Sequence, residues 1–126
     1  MTFDEVERLL DAGFRAGFRK PTNNVDYLGW IIISKHKPNM RILELFDESE
    51  HPELVREERW YQREPYLVLV IELKRSVHEA GDYETEGDYR QKDAYRYGSL
   101  SEVESQLQKW GYSFEQARET RELDAP

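Results

Sequence analysis

Tyr66-Leu67-Val68-Leu69-Val70-Ile71-Glu72-Leu73-Lys74 is the one apolar run of the chain that turns polar at its end, and its reading decides the fold. Its unbroken apolar part, Tyr66 to Ile71, is far shorter than the roughly 20 residues needed to cross a bilayer, so it is expected inside a folded core. Such a short aliphatic run, rich in branched side chains, reads as an interior strand. Alternation puts Leu67, Leu69, Ile71 and Leu73 on one face and Tyr66, Val68, Val70, Glu72 and Lys74 on the other. Both faces then need cover, and both edges need neighbouring strands.

Outward from this strand, Tyr27–Ser34 and Met40–Phe46 are β-rich runs joined by Lys35-His36-Lys37-Pro38-Asn39, a spacing suited to an antiparallel hairpin. In the second run Arg41, Leu43 and Leu45 alternate with Ile42, Glu44 and Phe46, so neither face is cleanly apolar. Residues 47–64 form an acidic crossover, a short helix beginning at Pro52 followed by an irregular piece. Residues 78–93 are rich in Gly, Asp and Glu and read as an exposed excursion, with a last strand expected over 93–98.

Helices are expected at the two ends. Thr2 and Glu5 have capping-box spacing, and Phe3, Val6, Leu10 and Phe14 make one helical stripe that should end between Gly13 and Gly17. Arg19 to Asn24 then reads as a loop. Near the C-terminus, Ser101 and Glu104 repeat the capping spacing ahead of Val103, Leu107 and Trp110, with Gly111 closing the helix. Arg118–Pro126 is a polar tail expected to fray. The sum is one α+β domain over residues 1–126: a small two-layer sandwich with a three- to five-stranded mixed or antiparallel sheet, covered by an N-terminal and a C-terminal helix.

The 126 residues carry a net charge of −8 and no cysteine, which excludes disulfides, thiolate metal sites and a cysteine nucleophile. With a charged amphipathic segment at its start, the chain is expected in the cytoplasm. Residues 1–46 hold seven Lys/Arg against six Asp/Glu, and residues 47–126 hold 11 against 20. A field of that sign disfavours nucleic acid and favours a basic protein. His36, His51 and His78 fall in three separate loops without ligand spacing, so no metal or cofactor is expected from them.

The chain holds eight Tyr and three Trp, more than a core of this size can bury with every hydroxyl and indole N–H paired, so several should be exposed. Rigid aromatics anchor and carboxylates steer in protein recognition. The leading expectation is therefore an acidic protein-binding module rather than an enzyme, an inhibitor, antitoxin or immunity-type factor against a basic partner; a homodimer is compatible with it. Trp60, Tyr61, Tyr83 and Tyr89 would anchor, while Glu57, Glu58, Asp82, Glu84, Glu86 and Asp88 would steer.

Glu72-Leu73-Lys74 supports a rival. A carboxylate and an ammonium roughly 7 Å apart on one side of a strand end resemble the E-x-K half of the restriction-endonuclease-like nuclease motif. That resemblance implies a Mg²⁺ or Mn²⁺ ion held by Glu72 and a second carboxylate, with Lys74 steadying the attacking water or the phosphate charge. Asp47 is the natural second carboxylate, and Asp26 a poorer one.

Overall fold

The computed structural model describes residues Met1–Pro126 and shows a five-stranded antiparallel sheet with five α-helices. In chain order these are α1 (Phe3–Asp11), β1 (Ala16–Lys20), β2 (Tyr27–Lys35), α2 (Met40–Leu45), α3 (Pro52–Arg63), β3 (Tyr66–Lys74), α4 (Arg75–Ala80), β4 (Tyr89–Tyr97), α5 (Leu100–Lys109) and β5 (Arg118–Glu119). The strand order is β4-β3-β2-β1-β5. The quoted run is thus an interior strand, paired over its full length with β2 from Tyr66↔Lys35 to Lys74↔Tyr27. None of the helices is long and apolar enough to cross a membrane.

The partner of β2 on its other edge is not residues 40–46 but β1, with Phe18 opposite Ile31. Met40–Leu45 is helical, started by the Asn39 side chain, which accepts from the Arg41 backbone N–H. Its blurred alternation was the clue, since a run with no clean face at period two has no reason to lie in a half-buried strand. β1 takes the place expected of the helix end and loop. Gly17 is a close-approach residue there: a Cβ would stand 2.1 Å from the Ile31 carbonyl oxygen, so only glycine lets the two strands lie this close.

One face of the sheet carries the larger core. Val6 and Leu10 of α1 and Leu100, Val103 and Leu107 of α5 bury against Phe18, Ile31, Ile33, Val68 and Val70. The Thr2/Glu5 capping box starts α1 as expected. The box starting α5 is Ser99/Glu102, two residues earlier than Ser101/Glu104, because the Glu102 carboxylate takes both the Gly98 and Ser99 N–H groups at 2.9 and 3.0 Å. That shift brings Leu100 into the buried stripe.

The second face is covered too, by a smaller cluster of Leu28, Trp30, Ile32, Ile71 and Leu73. Its cover includes Leu123 and Ala125 from residues 118–126, the segment expected to fray. That segment pairs with β1 through β5, and the Leu123 carbonyl accepts the Trp30 Nε1–H at 2.9 Å. His78 of α4 packs edge-on against the Trp30 ring at 4.9 Å. A fully buried indole needs a partner for its N–H, and the tail supplies it.

The last strand runs over Tyr89–Tyr97, longer than the expected 93–98, and lies at the sheet edge with mostly exposed side chains. Arg90, Lys92, Asp93 and Arg96 along it are the kind of charges that discourage edge-to-edge pairing.

Candidate functional site

Glu72 is the residue where the pattern of β3 breaks, and in the folded chain it is 5% exposed. A carboxylate taken out of water must be paired and hydrogen-bonded. Arg90 does most of this: Nη2 donates to both carboxylate oxygens at 2.6 and 2.7 Å, and Nε to Oε2 at 3.2 Å. Lys20 adds its ammonium 3.3 Å from Oε1. The Arg90 hydrogen bonds, with a smaller contribution from Lys20, outweigh desolvation and hold the Glu72 pKa below the usual carboxylate range.

Two backbone devices assemble this cluster. Between Glu72 and Leu73 the pairing with β4 shifts, so Gln91 opposes Glu72, Tyr89 opposes Leu73, and Arg90 is the extra residue of a β-bulge. Tyr89 thereby joins the Leu73 cluster while Arg90 reaches the carboxylate. Gly29 stands in register between Lys20 and Glu72, and a Cβ there would lie 2.6 Å from the Lys20 carbonyl oxygen. Its bare backbone lets Lys20 stretch across β2 to the carboxylate. Arg90 is held from outside by Asn23 Oδ1 at 2.8 Å and lies over the Tyr27 ring at 5.1 Å.

Beside this ion cluster the helical cover of the larger face stops, leaving a cleft of about 310 Å³. Ile31 and Val70 line it together with Tyr95, Trp110 and Tyr112, and Lys20 and Gln91 are its polar lining. Tyr95 and Trp110 meet edge-to-face at 5.3 Å, and Tyr112 leans on Phe18 at 5.1 Å, so the aromatic side is braced from behind. Burial raises the Tyr112 pKa, so its hydroxyl keeps its proton across the physiological range.

The nuclease set does not come together. Asp47 lies in the α2–α3 connection, which leaves β2 at Lys35 and returns at Tyr66, the end of the sheet opposite Glu72. Its carboxylate accepts the Ser49 backbone N–H at 2.9 Å, which lowers its pKa. Both Glu72 oxygens are occupied by Arg90, and Lys74 is exposed where β3 gives way to α4, beside Asp26, Tyr27 and Glu79, and makes no ion pair with Glu72. No group of three His, Asp or Glu side chains is arranged to hold a metal ion.

The expected anchors fall at two ends of the molecule. Trp60 and Tyr61 lie on α3, with the Arg96 guanidinium 4.6 and 4.4 Å from their ring centres. Their polar ends are tied within the helix, Trp60 Nε1 to Glu64 at 2.6 Å and Tyr61 Oη to Glu57 at 2.7 Å. Glu58 accepts the Asn39 backbone N–H at 2.7 Å, so Glu57 and Glu58 brace the α2–α3 unit. Tyr83, 98% exposed, stands at the other end between exposed Asp82 and Glu84. Glu86 pairs with Lys92 at 2.8 Å, Asp88 caps Thr85, and Tyr89 is half-buried.

Residues that sequence reasoning passed over are Lys20, Tyr95, Trp110 and Tyr112 of the cleft, and the exposed apolar side chains of α2 and α3. Arg90 had a signal: a carboxylate at the end of an apolar strand requires a cation nearby. No protein family, curated protein or solved structure matches this chain.

Proposed function

We propose that this protein is a binding module for a basic protein partner, of inhibitor, antitoxin or immunity kind, and that the α2–α3 helix pair makes the contact. One observation carries this: between Met40 and Arg63 only Val55 is buried, while Met40, Leu45, Phe46 and Leu54 are exposed. Leu45 is 72% exposed. A six-residue helix such as α2 has too few hydrogen bonds to persist on propensity alone, and here it packs on α3 rather than on the sheet. Four exposed apolar side chains within one short stretch of chain are the composition of a contact surface. Phe46 packs edge-on against His51 at 4.9 Å, and His51 and Leu54 line one groove with Glu53 and Glu57.

The surroundings select the partner's charge. From Met40 to Glu64 carboxylates outnumber arginines eight to four, and Arg56 and Arg59 are engaged by Glu48. Apolar contacts supply affinity in such a surface, and the carboxylates steer the encounter. Tyr83 follows α4 beyond the Lys74 end of β3, whereas α3 leads into its Tyr66 end, and it is assigned no part in this contact.

A photo-crosslinking residue placed at Leu45 in the source cell, followed by mass spectrometry, identifies the partner, and its affinity is then measured with purified proteins. A basic protein is expected, whose binding weakens as salt rises and falls about tenfold or more for Phe46→Ala combined with Leu54→Ala. Affinity unchanged by that pair and by Glu53→Lys with Glu57→Lys overturns the assignment.

A further inference from the structure

We propose that the cleft between the sheet and Trp110 is a binding site for a small planar aromatic anion, an aromatic ring system bearing a carboxylate. This site shares no residue with the α2–α3 surface and stands or falls independently of it. Its volume, about 310 Å³, is at the lower end of the range for small-molecule pockets and suits one or two fused rings. Ile31 and Val70 supply apolar lining, and Tyr95, Trp110 and Tyr112 supply faces and edges for offset or edge-to-face stacking.

The polar groups around the cleft set the sign of the charge. Trp30 Nε1, Trp60 Nε1 and Tyr61 Oη all donate to groups within the chain, whereas Trp110 Nε1 and the Tyr112 hydroxyl are open to water and free to meet a ligand. Lys20 is the charged residue of the lining. Glu72 is gripped by Arg90 through three hydrogen bonds and by Lys20 through one contact at 3.3 Å, so two cations share one carboxylate and Lys20 is the looser of them. Its side chain keeps 22% exposure, enough to turn its ammonium to a second anion.

Two other charges bear on the choice. Asp93, opposite Val70 in the register, shares the cleft face with Gln91 and Tyr95; its exposed carboxylate accepts the Gln91 Nε2–H at 2.8 Å and is a rim charge that opposes an anion, screened there by solvent. Three aromatic rings could also stabilise a quaternary ammonium, but the Lys20 ammonium in the same lining would repel it. The aromatic walls therefore hold the ring and Lys20 holds the acid.

The test uses 2-naphthoate with the full-length protein, followed by ¹H–¹⁵N spectra in which Trp110→Phe identifies the Trp110 indole resonance. Saturable shifts are expected at the Trp110 indole and at the Lys20 and Gln91 backbone amides. Lys20→Met should weaken binding about tenfold, the share of a charge-assisted hydrogen bond, and Lys20→Arg should restore it. Glu72 keeps Arg90 in both variants, so the fold is retained. The amine counterpart, 2-naphthylmethylamine, should bind about tenfold more weakly than the carboxylate. The site is refuted if the amine binds as well as the acid, if Lys20→Met leaves the affinity unchanged, or if naphthoate at roughly 10 mM shifts none of these resonances.

Discussion

The two ends of β3 invert the usual rule in opposite ways. At the Lys74 end a charge, Glu72, is buried and every one of its oxygens is held by a cation. At the Tyr66 end the crossover from β2 leaves Met40, Leu45, Phe46 and Leu54 in water around one buried valine. The first is an intramolecular problem solved within the chain: desolvation is compensated by three hydrogen bonds from Arg90, two of them short, and an ammonium. The second has no solution within the chain, since α2 and α3 cover little besides each other. A buried charge that is fully partnered describes architecture, and exposed apolar side chains are the feature on which the proposed contact rests.

The comparison breaks hardest at the two indoles. Trp30 is fully buried and its N–H secures the C-terminal segment, so Trp30→Ala should cost about 3–5 kcal/mol in urea unfolding. Hydrogen exchange in residues 118–123 should rise with it. Trp60→Ala at the other end should cost about 1 kcal/mol or less, since that ring is exposed and loses chiefly its Glu64 bond and its place over Arg96. Comparable losses from both would mean that the α2–α3 unit belongs to the core.

Next in size is Arg90→Met, which strands a buried carboxylate with Lys20 as its remaining cation and should cost about 2–4 kcal/mol, somewhat less than for an isolated buried charge. The double variant Glu72→Met/Arg90→Met should be more stable than Arg90→Met alone, because it removes the charge along with its partner. A double variant less stable than the single would show that the pair contributes beyond satisfying itself.

Acid sharpens the same end. Arg90, then Lys20, depress the folded-state pKa of Glu72 below its reference value of 4.5. The unfolded chain therefore binds the proton more readily, and the stabilisation from this group is complete above that value and lost as pH falls through the folded-state pKa. Stability of the wild type should decline more steeply below about pH 4.5 than that of Glu72→Gln, measured by urea titration over the acid range. Parallel acid limbs would place the titrating groups elsewhere.

How much of this was legible in the sequence follows from where each element's determinants lie. β3 and α1 carry theirs locally, as an aliphatic run and a Thr2/Glu5 capping box; β3 occurs where expected, and α1 starts where expected but ends at Asp11, short of the Gly13–Gly17 limit, which leaves Phe14 outside the helix and exposed. Expected helix α5 is also present, with its cap displaced to Ser99. β1 was missed because Ala16-Gly17-Phe18-Arg19-Lys20 becomes a strand through contact with β2, and its glycine reads as a helix breaker until the Ile31 carbonyl is seen against it. α2 was misassigned because Ile, Leu and Phe over six residues serve either structure, and the Asn39 cap decides.

The site shows the same division. Glu72 is conspicuous in sequence, but its partners lie 52 and 18 residues away, and the bulge that delivers Arg90 is a property of the β3–β4 register. Period-two alternation nominated Lys74, where the strand ends and α4 begins. The surplus of aromatics did foretell exposure, at Trp60, Tyr83 and Tyr95. It could not say which would be drawn into one cleft.

The smallest expected effect on stability tests the apolar end most directly. Leu45→Glu places a charge on a side chain that is 72% exposed and adds to no core cluster, so the unfolding free energy should change by no more than about 0.5 kcal/mol. Glutamate retains good helix propensity and leaves the Asn39 cap untouched, so α2 should persist. Association with the partner should nevertheless be lost, since the substitution removes an apolar contact and leaves a desolvated carboxylate at its centre. A variant that unfolds like the wild type and no longer binds separates the two ends of β3 by role. One that is destabilised by several kcal/mol would make Leu45 part of the fold's own packing, and the apolar end would then be architecture as much as the Glu72 end is.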